Sequence, residues 1–293
     1  MTRADATERT LAMLLRLLKL PAFVAAYEEF ARQAERDGWT HTEYLRRLVE
    51  REISERQQRR IERLSKGSGL PEDKTIGSLK TEKLPPKVRR QVPALCEGGF
   101  VERAENVLAF GLPGRGKTHL LAAIGHELVQ RGYAVLFTPA YRLVQRLLGA
   151  KRDLLLDREL KRLDAYDAVI LDDLGYVQQD REEMEVLFTF LSERYERRSV
   201  LITSNLVFSQ WDQIFKNPMT TMAAIDRLVH HAIILEMAGP SIREEEAKAG
   251  RRGSVDSRPA ALEPTPFRVS ATPLGKHSGR RLPTLWVPKI RSS

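Results

Sequence analysis

The chain has 293 residues, 42% hydrophobic and 30% charged, enough for one large domain or two modest ones with a sizeable core, and neither disordered nor membranous in composition. Its single cysteine, Cys96, excludes an intrachain disulfide framework and a multi-cysteine zinc site and fits a reducing cytoplasm. The net charge of +9 favours a polyanion and sits on the flanks: 20 Lys+Arg against 15 Asp+Glu over residues 1–100, 19 against 22 over 101–250, and 9 against 2 over 251–293.

In chain order, Leu11, Leu14, Leu15 and Leu18 recur at helical spacing. Arg16, Lys19 and Pro21 interrupt the apolar stretch 11–26, so it neither spans a bilayer nor makes a signal peptide. A helical pattern resumes over 23–34, with Gly38 as a stop and Thr40 as a new N-cap. Tyr44, Leu45, Leu48 and Ile53 continue an apolar stripe. Beyond it Arg56, Arg59, Arg60, Arg63 and Lys66 fall three or four apart, on one helical face. That face is either solvated and offset by Glu52, Glu55 and Glu62, or it lies along phosphates. Lys66-Gly67-Ser68-Gly69-Leu70-Pro71 is a breaker cluster. The expected division is therefore a helical DNA- or partner-binding domain over 1–66, a linker over 67–100 with a short helix near 86–95, a central module over 101–243 and a basic tail over 244–293. The tail has six prolines between Pro259 and Pro288 and no sustained period, and it reads as mostly disordered.

The strongest signal lies in the central module. Asn106-Val107-Leu108-Ala109-Phe110 is strand-like and leads into Gly111-Leu112-Pro113-Gly114-Arg115-Gly116-Lys117-Thr118, which matches G-x-x-x-x-G-K-[ST]. A helix follows over 119–130. Glycines let backbone amides approach phosphate oxygens, and the helix aims its positive dipole end at the same anion. Lys117 then reaches the β- and γ-phosphates, and the Thr118 hydroxyl is placed for Mg²⁺.

Ala168-Val169-Ile170-Leu171 reads as a strand buried on both faces. It delivers Asp172, a candidate Mg²⁺ ligand, and Asp173, a candidate to polarise the attacking water. Two adjacent aspartates alone would equally suit a loop or a helix cap. Val200-Leu201-Ile202 runs into Thr203-Ser204-Asn205, again polar groups at the carboxyl end of a strand. Asn205 is a candidate to orient water, or simply a turn residue. With a further strand over 133–137 and a helix over 141–148, the module predicts an α/β fold, a parallel sheet with helices on both faces.

These motifs carry a family resemblance. The glycine loop followed by His119-Leu120, Leu171-Asp172-Asp173-Leu174-Gly175-Tyr176, Leu191-Ser192-Glu193-Arg194-Tyr195-Glu196-Arg197 and Thr203-Ser204-Asn205-Leu206 resemble the IstB-type ATP-binding protein of bacterial insertion sequences. So do Phe208-Ser209-Gln210-Trp211-Asp212 and Asp226-Arg227-Leu228-Val229-His230-His231. The resemblance covers residues 10–243 and extends to the related DnaC-type helicase loader. It implies an AAA+ P-loop ATPase that binds ATP and Mg²⁺, assembles as a homo-oligomer on double-stranded DNA, and recruits or stimulates an IstA-like transposase. The protein would act in the cytoplasm without contacting membrane. The resemblance also implies an ATP cradle formed by Gly111, Leu112, Pro113, Gly114, Arg115, Gly116, Lys117 and Thr118. It makes Asp172 and Asp173 the Walker B acids, Asn205 the first sensor and Arg227 an arginine finger acting on a neighbouring subunit. Arg243 falls at the second sensor. By residue chemistry alone, Arg227 suits either developing phosphoryl charge or a salt bridge with Asp226 or Glu236. Many AAA+ ATPases carry Glu where Asp173 stands, and the shorter acid implies slow hydrolysis. The alternatives are a DnaC-like loader of a replicative helicase and a nucleotide-dependent scaffold that does not hydrolyse ATP.

Overall fold

The computed structural model of the chain describes residues 3–176, 181–206 and 226–238. The motif beginning at Phe208, Arg243 and the tail from residue 244 lie outside the described residues.

Three helices come first: α1 (Arg3–Leu17), α2 (Pro21–Asp37) and α3 (His41–Ser68). Pro21 opens α2, where a missing N–H costs no helical hydrogen bond. Gly38 closes it in the left-handed conformation. Thr40 then caps α3 by accepting the Glu43 N–H at 3.2 Å. Glu52, buried on α3, accepts the Ala22 N–H at 2.8 Å and the Arg56 Nε–H at 2.7 Å, so a carboxylate of α3 caps the start of α2. Burial pushes the Glu52 pKa up, but Arg56 and the amides of Ala22 and Phe23 outweigh it and hold the carboxyl below its usual range.

The basic stripe on α3 is partly engaged within the fold. Arg56 donates to the Lys19 carbonyl at 2.7 Å, Arg59 to the Glu55 carbonyl at 3.1 Å and Arg60 to the Gly132 carbonyl at 3.0 Å. These contacts favour a structural face over a phosphate rail at those three positions.

Helices α4 (Pro86–Glu97) and α5 (Gly99–Glu102) lead into the sheet. Then follow β1 (Asn106–Phe110), α6 (Lys117–Gln130), β2 (Val135–Pro139), α7 (Ala140–Arg152), α8 (Leu156–Asp164), β3 (Ala168–Asp172), α9 (Arg181–Arg194), β4 (Ser199–Ser204) and β5 (Ala232–Glu236). The strands pair in parallel in the order β2-β3-β4-β1-β5. Side chains alternate across the sheet with period two. Val107, Ala109 and Ile170 join Ile61, Leu70 and Leu121 on the face covered by α3, α4 and α6. Leu108, Val169 and Leu171 join Leu143, Leu163 and Leu187 on the face covered by α7, α8 and α9. Burial on both faces explains the unbroken apolar runs of β1, β3 and β4. No helix among the described residues is long and apolar enough to cross a membrane.

Candidate nucleotide site

Because β4 lies between β1 and β3, the carboxyl ends of these strands set residues 111–118, 203–205 and 172–173 side by side. Ligands collect at such ends in open α/β sheets. The loop after β1 turns straight into α6, with Gly116 as N-cap and Lys117 as the first helical residue. Lys117 is only 6% exposed, and its Nζ donates to the Gly111 and Leu112 carbonyls at 2.6 and 3.1 Å. The ammonium is thereby held under the loop that it serves. Gly111 has φ 151°, and a Cβ there would lie 2.5 Å from the Met237 carbonyl oxygen. Arg115 donates to that same oxygen at 3.3 Å, so the loop is tied to the end of β5.

The acids are organised by Thr203, which the sequence placed in the polar run after a strand without assigning it a role. The Thr118 and Thr203 hydroxyls both donate to Asp172 Oδ1 at 2.7 Å. Thr203 Oγ1 in turn accepts the Asp173 N–H at 2.8 Å. One fully buried hydroxyl on β4 therefore orients both aspartates. Its signal was a hydroxyl at the end of an apolar run, where burial demands a partner. Asp173 sits at φ 57°, a left-handed conformation that costs a non-glycine residue about 1–2 kcal/mol, and it lines the cavity beside the loop. Asn205 lines the same cavity, and its buried Oδ1 has no hydrogen-bond partner among the described residues. A Cβ at Gly175 would fall 2.0 Å from that oxygen, so glycine is needed there to seat the carboxamide.

The cavity measures about 400 Å³. Its far wall comes from residues that the sequence placed in a linker: Asp73, Lys74, Ser78, Leu79 and Lys80. His119, on the first turn of α6, holds that wall. Its Nε2 lies 3.1 Å from Ser78 Oγ and 3.3 Å from the Thr75 carbonyl oxygen. His126, two turns on, places Nε2 2.9 Å from the Pro71 carbonyl oxygen. The helix whose amino end bears Lys117 and Thr118 is thus also the helix that docks the segment after α3.

Thr118 and Asp172 offer two hard oxygen donors 2.7 Å apart, the donor chemistry that Mg²⁺ takes. Arg227 is not brought to this cavity. Asn106, at the start of β1, donates its Nδ2–H to the Leu228 carbonyl at 3.2 Å and its backbone N–H to the His231 carbonyl at 2.8 Å. Residues 226–231 therefore sit at the amino end of β1, a strand length of roughly 13 Å from the glycine loop at a rise of about 3.3 Å per residue. Arg227 donates to Ser192 Oγ and lies over the Phe188 ring, 5.0 Å from its centroid. Among the described residues it forms no salt bridge with Asp226 or Glu236.

The IstB-like ATP binding protein family model matches residues 13–250. An insertion-sequence ATP-binding protein of Sinorhizobium fredii is 43% identical over 259 residues, covering 88% of this chain and 86% of the relative. The IS21 ATP-binding protein of Pseudomonas aeruginosa is 37% identical over 241 residues, covering 82% and 91%. A solved replication initiator DnaA, bound to AMPPCP and single-stranded DNA, superposes with a TM-score of 0.51 at 18% identity over 64% of this chain and 56% of that one, a likeness of fold. The chain, with a P-loop at the end of a parallel sheet covered on both faces, belongs to the IstB-like ATP-binding proteins.

Proposed function

We propose that the chain is an ATP-dependent DNA-binding helper of transposition that assembles on duplex DNA, recruits or stimulates a transposase, and hydrolyses ATP. The observation that carries this reading is the convergence of Lys117–Thr118, Asp172–Asp173 and Asn205 on one cavity, with Arg227 at the other end of the sheet. In this reading the backbone N–H groups of the glycine loop and the Lys117 ammonium hold the phosphates, while Thr118 and Asp172 would hold Mg²⁺. Bound there, Mg²⁺ would neutralise phosphate charge. Asp173 accepts a proton from the attacking water, and the Asn205 carboxamide orients that water. Arg227 supplies its guanidinium to the cavity of a neighbouring copy, because its own cavity is out of reach. Hydrolysis then depends on assembly. Family membership, the AAA+ fold and the basic flanks support this reading.

The single-strand stacking expected of a helicase loader gains no support from the N-terminal aromatics. Phe30 and Trp39 pack edge to face at 6.4 Å, Arg47 covers Trp39 at 3.9 Å, and the Tyr44 hydroxyl donates to the Tyr27 carbonyl at 3.1 Å. The test is sedimentation of the full chain with duplex DNA, with and without ATP and Mg²⁺. Large complexes that need both ATP and DNA, and that weaken steeply as salt rises, are expected. Sedimentation unchanged by ATP would contradict the proposal.

A further inference from the structure

At the amino end of the sheet, away from the nucleotide cavity, Glu196, His230 and His231 bring three potential metal-ligand atoms within 4.8 Å of one another. We propose that these residues form a binding site for a borderline divalent transition metal of the zinc class. His231 Nε2 and Glu196 Oε1 are 3.7 Å apart. A tetrahedral ion with bonds of about 2.1 Å separates its ligand atoms by roughly 3.4 Å, so this pair is already near register. The two imidazole rings lie 4.1 Å apart, tilted by 54°. The three side chains are exposed.

Two imidazoles and one carboxylate suit zinc, cobalt or nickel, whereas magnesium and calcium prefer all-oxygen sets. The fourth position faces solvent and would carry water. Tyr195 adds support from outside the ligand set. Its hydroxyl lies 3.0 Å from His230 Nδ1, which restrains the ring and leaves Nε2 as its other donor. Glu196 is held at φ 56°, so its position is fixed by the turn between α9 and β4. A bound ion would staple that turn to the one entering β5, three residues beyond Arg227. Among the described residues, three of the other thiol and imidazole donors compete poorly. Cys96 is buried, which pushes its thiol up to about 11, and His119 and His126 are already engaged with the loop after α3.

The test is calorimetric titration of the full chain with zinc chloride, in excess Mg²⁺ and ADP to saturate the nucleotide site. One saturable equivalent is expected, weakened about tenfold or more in His231→Ala and in the conservative, exposed variant Glu196→Gln, and unchanged in His41→Ala. Cobalt bound to the wild-type chain should show the visible absorption of a four-coordinate ion, reduced in Glu196→Gln. Absence of saturable zinc uptake, or uptake and cobalt absorption that are the same in Glu196→Gln as in the wild type, would overturn the site.

Discussion

At the scale of single residues, the site turns on who holds the two aspartates. Asp172 and Asp173 are legible in the sequence because an apolar strand delivers them beside a glycine loop. Thr203 was not, because its role comes from the pairing of β3 with β4, a contact between distant segments. Its hydroxyl joins Asp172 to the Asp173 backbone. Thr203→Val keeps the shape and removes both bonds. A hydrogen bond to a charged group contributes about 1.5–3 kcal/mol, so turnover should fall roughly 10- to 100-fold. Nucleotide affinity, which the proposed cradle assigns to the loop and Lys117, should change little. Phosphate release and fluorescent-nucleotide binding, measured side by side, separate the two effects. Equal losses in both would show that Thr203 shapes the cradle itself.

At the scale of elements, the N-terminal helices, α4, α6, α7 and the strands β1 to β4 followed from periodicity, caps and breakers, as at Gly38 and Thr40, whereas α5, α8, α9 and β5 were not read from the sequence. The wall formed by residues 73–80 escaped because a segment without period reveals nothing of where it docks. His119 was its only hint, a side chain one position beyond Lys117-Thr118. The stretch from Leu191 to Arg197 has a physical account in the folded chain. Arg194 is 2% exposed and donates to the carbonyls of Leu163, Tyr166, Asp167 and Ser199, clamping α8 to the starts of β3 and β4. Its burial pulls the guanidinium pKa down to about 10. Arg194→Met would leave those buried acceptors unpaired and should destabilise the fold by about 3 kcal/mol. Urea denaturation measures this, and a loss below about 0.5 kcal/mol would contradict the clamp.

The N-terminal helices supply a pH signature. Hydrogen bonds from Arg46 and Arg47 draw the Glu43 carboxyl down to about 2, and the Glu52 carboxyl is also depressed. A carboxyl lowered on folding stabilises above its unfolded pKa and loses that contribution as pH falls through its folded value. Wild type should therefore melt above Glu52→Gln at pH 7. The gap should shrink as pH falls below about 4.5, the ordinary carboxylate value. A gap that does not shrink on acidification would place the effect in packing rather than charge.

At the scale of the whole molecule, the sheet separates the two parts of the proposed reaction. The cradle opens at the carboxyl ends of β1, β3 and β4, and Arg227 sits at the amino end of β1. The sequence supplied both motifs but not the distance between them, which only the strand order reveals. Lys117→Ala lacks the ammonium but retains Arg227, and Arg227→Ala retains the cradle but lacks the guanidinium. Each variant alone should release almost no phosphate on DNA. The most direct measurement mixes the two in equal amounts with DNA, ATP and Mg²⁺ and follows phosphate release. A guanidinium supplied across subunits predicts recovered turnover in the mixture, well above the sum of the separate variants. A mixture no faster than that sum would contradict the account.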